Sequence, residues 1–136
     1  MSINRLDHVS IRTHDLDATH NFYADVLGLT VGPRPNFPFP GVWLYQDKQA
    51  VVHVIGVDPN DSSGLMDYLG DRKEGDTGGS GNFDHLAFLC SDLDGMRKKF
   101  QSKNLDFRER KVPNMDLYQI FLVDPNGITV ELNFPS

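Results

Sequence analysis

Leu6-Asp7-His8-Val9 returns 77 residues later as Phe83-Asp84-His85-Leu86, and this repeat decides how the 136-residue chain is interpreted. A second match has the same spacing, because Asp15-Leu16-Asp17 returns as Asp92-Leu93-Asp94. Matches at a fixed spacing are typical of a duplicated structural unit. The sequence therefore predicts two modules of the same kind.

The later strands of the two modules repeat as well. Val51-Val52-His53-Val54 aligns with Thr129-Val130-Glu131-Leu132 at a spacing of 78 residues. We therefore expect one domain built from modules at approximately 3–57 and 83–134. Residues 58–82, which are rich in glycine, aspartate and serine, are predicted to be the linker.

The composition indicates a folded protein and excludes several functions. Hydrophobic residues make up 39% of the chain and charged residues 24%. The net charge of −6 argues against a protein that neutralises nucleic-acid phosphates, and no apolar run is long enough to span a membrane. Cys90 is the only cysteine and no signal peptide is visible, so we expect a reduced, cytoplasmic setting.

Hydrophobic periodicity predicts the order β-α-β-β-β for the first module. Polar and apolar residues alternate over residues 3–12, as in a strand, and a helix follows from an Asp15 cap to Gly28. Three further strands are predicted at Leu29–Gly32, Val42–Gln46 and Ala50–Val57.

The second module repeats this order. Its helix is predicted at Asp92–Asn104, and Asn126-Gly127 is expected to supply the positive φ angles of a tight turn. The strands are predicted at Phe83–Cys90, Leu105–Arg110, Leu117–Val123 and Gly127–Phe134. The fold class is therefore α+β, with two βαβββ modules in tandem.

Four ligand-type side chains occupy matched positions in the two modules. Successive side chains of a strand face opposite sides of the sheet, so apolar neighbours place His8, His53, His85 and Glu131 on one shared face. One histidine in a strand is most often a hydrogen-bonded filler, but four residues at equivalent places need a common explanation. We therefore predict that they converge inside a curved sheet.

A divalent transition metal is the cofactor that suits this set. A buried, unpaired glutamate is costly, whereas a cation beside neutral imidazoles would keep Glu131 ionised. Two histidines and a carboxylate with open positions suit non-haem Fe(II), and related nitrogen and oxygen sets bind Zn, Mn, Ni or Co.

At this point the chain resembles the vicinal oxygen chelate superfamily, which includes glyoxalase I, methylmalonyl-CoA epimerase, extradiol dioxygenases and fosfomycin-resistance proteins. The resemblance covers nearly the whole chain. It is carried by the two Asp-His repeats and by four further stretches: Asn21-Phe22-Tyr23, Leu27-Gly28-Leu29, Phe121-Leu122-Val123-Asp124-Pro125-Asn126-Gly127 and Val130-Glu131-Leu132.

The resemblance implies paired βαβββ modules that form a cupped mixed sheet around a divalent metal, and a homodimer. By the same resemblance His8, His85 and Glu131 match the metal ligands of the family. His53 falls where glyoxalase I carries a glutamate and the epimerase a glutamine, so it is either a fourth ligand or a nearby acid–base group.

The family's shared chemistry is stabilisation of an enolate or oxyanion on a substrate with two neighbouring oxygens. Glu131 or His53 could move the proton. Candidate substrate-binding residues are Arg12, Trp43, Tyr118, Gln119 and Phe121. The proline-rich stretch at 33–40 carries Arg34, Phe37 and Phe39, which could cover the mouth of a pocket.

The leading hypothesis is a metal-dependent lyase or isomerase acting on a small oxygenated metabolite. The alternatives are an extradiol-type dioxygenase, a thiol transferase of the fosfomycin-resistance type, and a non-catalytic small-molecule binding protein. Binding members that sequester bleomycin lack metal ligands at these positions, so His8, His85 and Glu131 count against the last alternative.

Overall fold

Both modules have the predicted βαβββ order. The structure, a computed structural model, describes residues 6–57, 83, 85–113 and 116–135. The elements of the first module are β1 (Val9–Thr13), α1 (Leu16–Asn21), β2 (Thr30–Gly32), β3 (Gly41–Gln46) and β4 (Gln49–Gly56). Those of the second are β5 (His85–Leu89), α2 (Leu93–Ser102), β6 (Arg108–Lys111), β7 (Leu117–Val123) and β8 (Thr129–Pro135).

Each module forms its own four-stranded mixed sheet, and the two sheets have the same topology. The strand order is β1-β4-β3-β2 in the first and β5-β8-β7-β6 in the second. In both sheets the first and last strands of the module pair in parallel, whereas the remaining pairs are antiparallel. The duplication predicted from the repeats is therefore confirmed.

Apolar residues that alternate along the strands form the core of each module. In the first, Leu44 and Val52 are completely buried, together with Tyr23 from the segment after α1. In the second, Ile120 and Val130 are completely buried and pack in a core that also contains the buried Phe100 of α2. Burying a side chain of this size stabilises a fold by about 1.5–3 kcal/mol. The polar residues between them are left on the opposite face.

Aspartate caps begin both helices, and the cap at Asp15 was predicted from the sequence. Asp15 Oδ1 accepts a hydrogen bond from the Ala18 amide at 3.0 Å, and Asp92 Oδ1 accepts one from the Gly95 amide at 3.1 Å. Gly28 ends the first helical segment with φ +84°, a value that suits glycine.

Two local predictions were wrong. The helix after Asp15 does not continue as a regular α-helix, because Phe22–Val26 forms a π-helical turn. In the turn before β8 only Gly127 has a positive φ, of 82°. There Asp124 Oδ1 accepts the amides of Asn126 and Ile128, each at 2.8 Å, so a buried carboxylate shapes this turn instead of a second left-handed residue.

The chain divides into two compact units, Met1–Thr77 and Gly78–Ser136, and each contains one module. The predicted linker at 58–82 lies outside the described residues. None of the helices in the described part of the chain is long and apolar enough to cross a membrane.

Candidate metal and substrate site

The first unit brings His8 and His53 into direct contact. Their rings stack with centroids 3.7 Å apart and an angle of 11° between the ring planes. Trp43 of β3 stacks on the other side, with its centroid 3.9 Å from that of His53. Strand register explains the second contact, because His53 of β4 lies opposite Trp43. His53 is therefore held between two flat rings.

The segment before β1 fixes the orientation of His8. Asp7 Oδ2 lies 2.6 Å from Nδ1 of the His8 ring, and Gln49 Nε2 donates to the Asp7 carbonyl oxygen at 2.8 Å. A carboxylate on one ring nitrogen leaves the other, Nε2, as the natural ligand atom for a metal, a pattern common among metal-binding histidines. Asp7 therefore belongs to the candidate site, a role that the sequence did not assign to it.

Burial lowers the pKa of His53 below its ordinary value, and the nearby His8 and Arg34 act in the same direction. A hydrogen bond with the Ala50 backbone and the charge of Asp7 oppose this effect. The shift favours the neutral imidazole, which is the form that binds metals.

The second unit brings His85 and Glu131 together. His85 Nε2 lies 2.8 Å from Glu131 Oε2, and the glutamate side chain is only 12% exposed. Gln119 Nε2 donates to Glu131 Oε1 and, at 2.9 Å, to Asn133 Oδ1. Glu131 therefore has a histidine at one oxygen and an amide at the other.

The two pairs occupy equivalent places in their sheets. His53 lies opposite Ser10 of β1 and Trp43 of β3, and Glu131 lies opposite Ala87 of β5 and Phe121 of β7. His8 lies two residues before Ser10, and His85 lies two residues before Ala87. The symmetry inferred from the repeats thus extends to individual side chains.

The donors suit a divalent cation in kind, but each pair supplies only two ligands. Within the described residues, no group of three or more histidine, cysteine, aspartate and glutamate side chains is arranged to hold a metal ion. The stacked rings of His8 and His53 would also have to tilt apart to bind one ion, because the lone pair of each nitrogen lies in its ring plane. The structure places the four predicted residues as one pair in each unit.

The predicted substrate-binding residues are distributed over both units. Arg12 lies in β1 opposite Ile55 and is half-buried. Tyr118 of β7 is not placed with Gln119 and Phe121, because neighbouring strand residues face opposite sides. Its ring contacts the Arg97 guanidinium of α2 at 5.6 Å, on the helix side of the sheet. Gln119 contacts Glu131, as described above, so in this structure its amide positions the glutamate.

A cavity of about 510 Å³ lies within the first unit. Small-molecule sites commonly have volumes of about 300–1,000 Å³. Its lining comprises Asp7, His8, Ser10, Arg34, Pro35, Phe37, Phe39, Trp43, His53, Val54 and Ile55. Trp43 lines this cavity, and its predicted contact with substrate stays a prediction. Among the described lining residues the arginine is Arg34, and Arg12 is not among them.

Cys90 follows β5 and has the features of a structural thiol. Burial raises the pKa of its thiol, against a smaller opposing effect from the Asn133 backbone. A raised pKa lowers the fraction of thiolate at neutral pH, which is the nucleophilic form.

Comparison with known proteins identifies the family. A family model described as the Glyoxalase/Bleomycin resistance protein/Dioxygenase superfamily matches residues 5–132. The chain therefore belongs to this superfamily, as the resemblance of its repeats predicted.

The similar proteins include two glyoxalase-type sequences. Glyoxylase I 4 of Arabidopsis thaliana is 24% identical over 97% of this chain and 71% of its own length. Lactoylglutathione lyase of Schizosaccharomyces pombe is 22% identical, and the aligned region covers 97% of this chain but only 48% of that protein. The chain thus spans about half the length of the yeast relative.

Solved structures share the fold. A lactoylglutathione lyase from Agrobacterium tumefaciens matches with a TM-score of 0.69 and 24% identity, over 97% of this chain and 94% of the other. At this identity the likeness establishes the architecture, and the reaction has to be argued from the site.

Proposed function

We propose that this protein is a metal-dependent lyase or isomerase of the glyoxalase type that acts on a small oxygenated metabolite. The observation that supports this most is the equivalent placement of two ligand-type pairs, His8 with His53 and His85 with Glu131. Equivalent pairs in a duplicated fold suggest one site to which both modules contribute, either within one chain or across a dimer.

In this proposal His8, His85 and Glu131 hold the divalent cation, and His53 is a fourth ligand or an acid–base group beside it. The cation would supply positive charge that stabilises an enolate or oxyanion on the substrate. His53 or Glu131 transfers the substrate proton, since Glu131 is a proposed ligand, the His53 ring stacks on that of the proposed ligand His8, and both side chains can bind a proton. Gln119 keeps the glutamate oriented, and Trp43 and Phe121 contact the substrate.

The substrate is a small molecule, and no role in nucleic-acid or membrane binding is proposed. The protein is expected to form a homodimer, which light scattering of the purified chain would detect. A cytoplasmic location is proposed from the cysteine content alone.

An extradiol-type dioxygenase remains the first alternative, and it requires Fe(II) or Mn(II) with an open position for O₂. A thiol transferase of the fosfomycin-resistance type is the next.

A binding protein without catalysis is favoured by one specific observation, the aromatic cavity of the first unit. That cavity needs no metal to bind an apolar ligand. The presence or absence of a bound metal therefore separates this candidate from the enzymes.

The deciding experiment is elemental analysis of protein purified without chelator, beside a His85→Ala variant and a Lys98→Ala control. Lys98 is an exposed residue of α2 and far from any proposed ligand in sequence. We expect about one transition metal per site in the wild type and the control, and a loss of metal in His85→Ala.

The identity of the metal then ranks the reactions. Zn, Ni or Co would favour the lyase or isomerase, whereas Fe or Mn would favour the dioxygenase and the transferase. If the wild type and the Lys98→Ala control both hold no metal after incubation with divalent ions, the proposal is wrong and a metal-free binding protein becomes the leading account.

A further inference from the structure

Among the described residues that line the cavity of the first unit, one is an arginine, and it lies beside aromatic rings. Arg34 lies over two of them, with its guanidinium carbon 5.0 Å from the centroid of Phe37 and 5.2 Å from that of Phe39. Its Nη2 donates to the Phe39 carbonyl oxygen at 2.9 Å. A guanidinium has five N–H donors, and among the described residues the Phe39 carbonyl oxygen is the acceptor that contacts it, so donors remain for a ligand there.

The charges around the cavity favour a single negative charge on the ligand. No aspartate or glutamate among the described residues forms an ion pair with Arg34. Among the described lining residues Asp7 is the only acidic one, and its carboxylate contacts the His8 ring. A partly buried cation without a carboxylate partner would gain a charge-assisted hydrogen bond from an anionic ligand.

The aromatic side chains of the lining favour a ligand that contains a flat ring. Phe37 and Phe39 stack with centroids 5.2 Å apart and ring planes only 3° from parallel. Phe37 also lies 6.3 Å from Trp43, which continues the row through its stacking on His53. Aromatic pairs contribute about 0.5–1.5 kcal/mol beyond the burial of their area, so such a wall favours aromatic over aliphatic ligands.

The arrangement is fixed before a ligand arrives, and two glycines make it possible. A Cβ at Gly41 would lie 2.8 Å from Arg34 Nη2 and 2.5 Å from the Val54 carbonyl oxygen. A Cβ at Gly32 would lie 2.6 Å from the Tyr45 ring, whose hydroxyl donates to the Pro33 carbonyl oxygen. The proline-rich segment is thus held near both ends, which reduces the entropy lost on binding.

We propose that this cavity selects aromatic monocarboxylates, with Arg34 binding the carboxylate and the row of Phe37, Phe39 and Trp43 contacting the ring. The inference rests on the proposed function only in taking this cavity as the place where the substrate binds. It adds the substrate class and the residue that selects the charge.

Trp43 allows a direct test, because it is the only tryptophan of the chain. Its fluorescence is followed while the protein is titrated with benzoate, with benzyl alcohol and with cyclohexanecarboxylate. Benzyl alcohol keeps the ring and removes the charge, and cyclohexanecarboxylate keeps the charge and removes the aromaticity. We expect benzoate to bind most tightly and to change the Trp43 emission.

Arg34→Gln is expected to weaken benzoate binding by at least about tenfold, because a hydrogen bond to a charged group is lost. Arg110→Gln is the matched control, since Arg110 is an exposed residue of β6 outside the cavity, and it should leave benzoate affinity unchanged. Phe37→Leu leaves the charge of Arg34 in place and removes one aromatic ring, so it should weaken the binding of benzoate more than that of cyclohexanecarboxylate. Thermal melts show whether each variant is folded.

Equal affinity for all three compounds, or benzoate affinity unaffected in a folded Arg34→Gln variant, would overturn this inference. The metal content of the same samples distinguishes a failure of this inference from a failure of the proposed function. Arg34-dependent benzoate binding by a chain that never holds metal would support the inference and contradict the enzyme. Bound metal without benzoate binding would support the proposed enzyme and contradict this inference.

Discussion

Glu131 shows how single residues prepare a candidate ligand. Its two oxygens are contacted separately, one by His85 Nε2 and the other by Gln119 Nε2, and its side chain is 12% exposed. Gln119 is itself held by Asn133. Outer partners of this kind orient metal ligands, and their loss typically lowers metal affinity. Gln119 is therefore a positioning residue for Glu131.

Gln119→Leu should lower the affinity for the divalent metal by about 10–100-fold, because the carboxylate loses the donor that orients it. The measurement is a competition titration against a chelator of known affinity. Gln101→Leu makes the same substitution at an exposed position of α2 and should bind metal as the wild type does. Unchanged affinity in Gln119→Leu would mean that the glutamine only packs beneath the glutamate.

The sequence predicts which face of a strand a residue occupies, but not the contacts made by loop residues. Alternation placed His53 correctly with His8, since their rings stack. Alternation also separates Tyr118 from Gln119, although both are predicted substrate-binding residues. The sequence places Arg34 in a stretch that could cover the mouth of a pocket, but it does not predict the contacts of the guanidinium, because these depend on the missing Cβ of Gly41 and on the Phe39 carbonyl oxygen.

At the scale of elements, the first helix shows a limit of periodicity. Leu27 N donates to the Phe22 carbonyl oxygen at 3.0 Å, five residues back, which widens the last turn. The neighbouring residues Phe22 and Tyr23 of this turn are both buried. A period of 3.6 residues leaves no signal for such a turn, so a regular helix up to Gly28 was predicted.

The two helix caps differ in backbone conformation, which allows a prediction. Asp15 has φ −129°, whereas Asp92 has φ +61° and ψ +60°, in the left-handed region. A Cβ at Gly95 would lie 2.8 Å from Asp92 Cγ, so the cap also depends on that glycine. Asp92 thus combines a cap with a conformation that few side chains tolerate.

Asp92→Ala should lower the free energy of unfolding by about 2 kcal/mol, about half from the lost cap and half from the left-handed backbone. Asp15→Ala, where only the cap is lost, should cost about 1 kcal/mol. Asp92→Asn should be close to the wild type, because asparagine caps helices and tolerates this conformation. Urea unfolding measures all three, and equal losses in the two alanine variants would contradict the argument.

At the scale of the whole molecule, the duplication was the strongest prediction from the sequence. It predicted the number of modules, the order of their elements and the equivalence of His53 with Glu131, which the strand registers confirm. The repeats do not predict whether His8, His53, His85 and Glu131 bind one shared ion, as the proposed function requires. That depends on how the modules associate, which short repeated motifs do not encode.

The proposed metal provides a test of cooperation between the modules. A ligand that binds only the folded state stabilises it by about 2.7 kcal/mol at a free concentration 100 times its Kd. Trp43, the single tryptophan, reports on the first unit alone. If residues of both modules bind the same ion, adding metal to chelator-treated protein should raise the melting temperature seen by Trp43 fluorescence.

His85→Ala removes a ligand from the second unit only, and it should abolish this metal-induced rise at Trp43 because the shared site is then incomplete. Lys98→Ala, an exposed control in the same unit, should keep the full rise. A rise that persists in His85→Ala would show that His8 and His53 bind the metal without the second module. In that case each pair would be a separate weak site, since two ligands hold a transition metal less tightly than three or four.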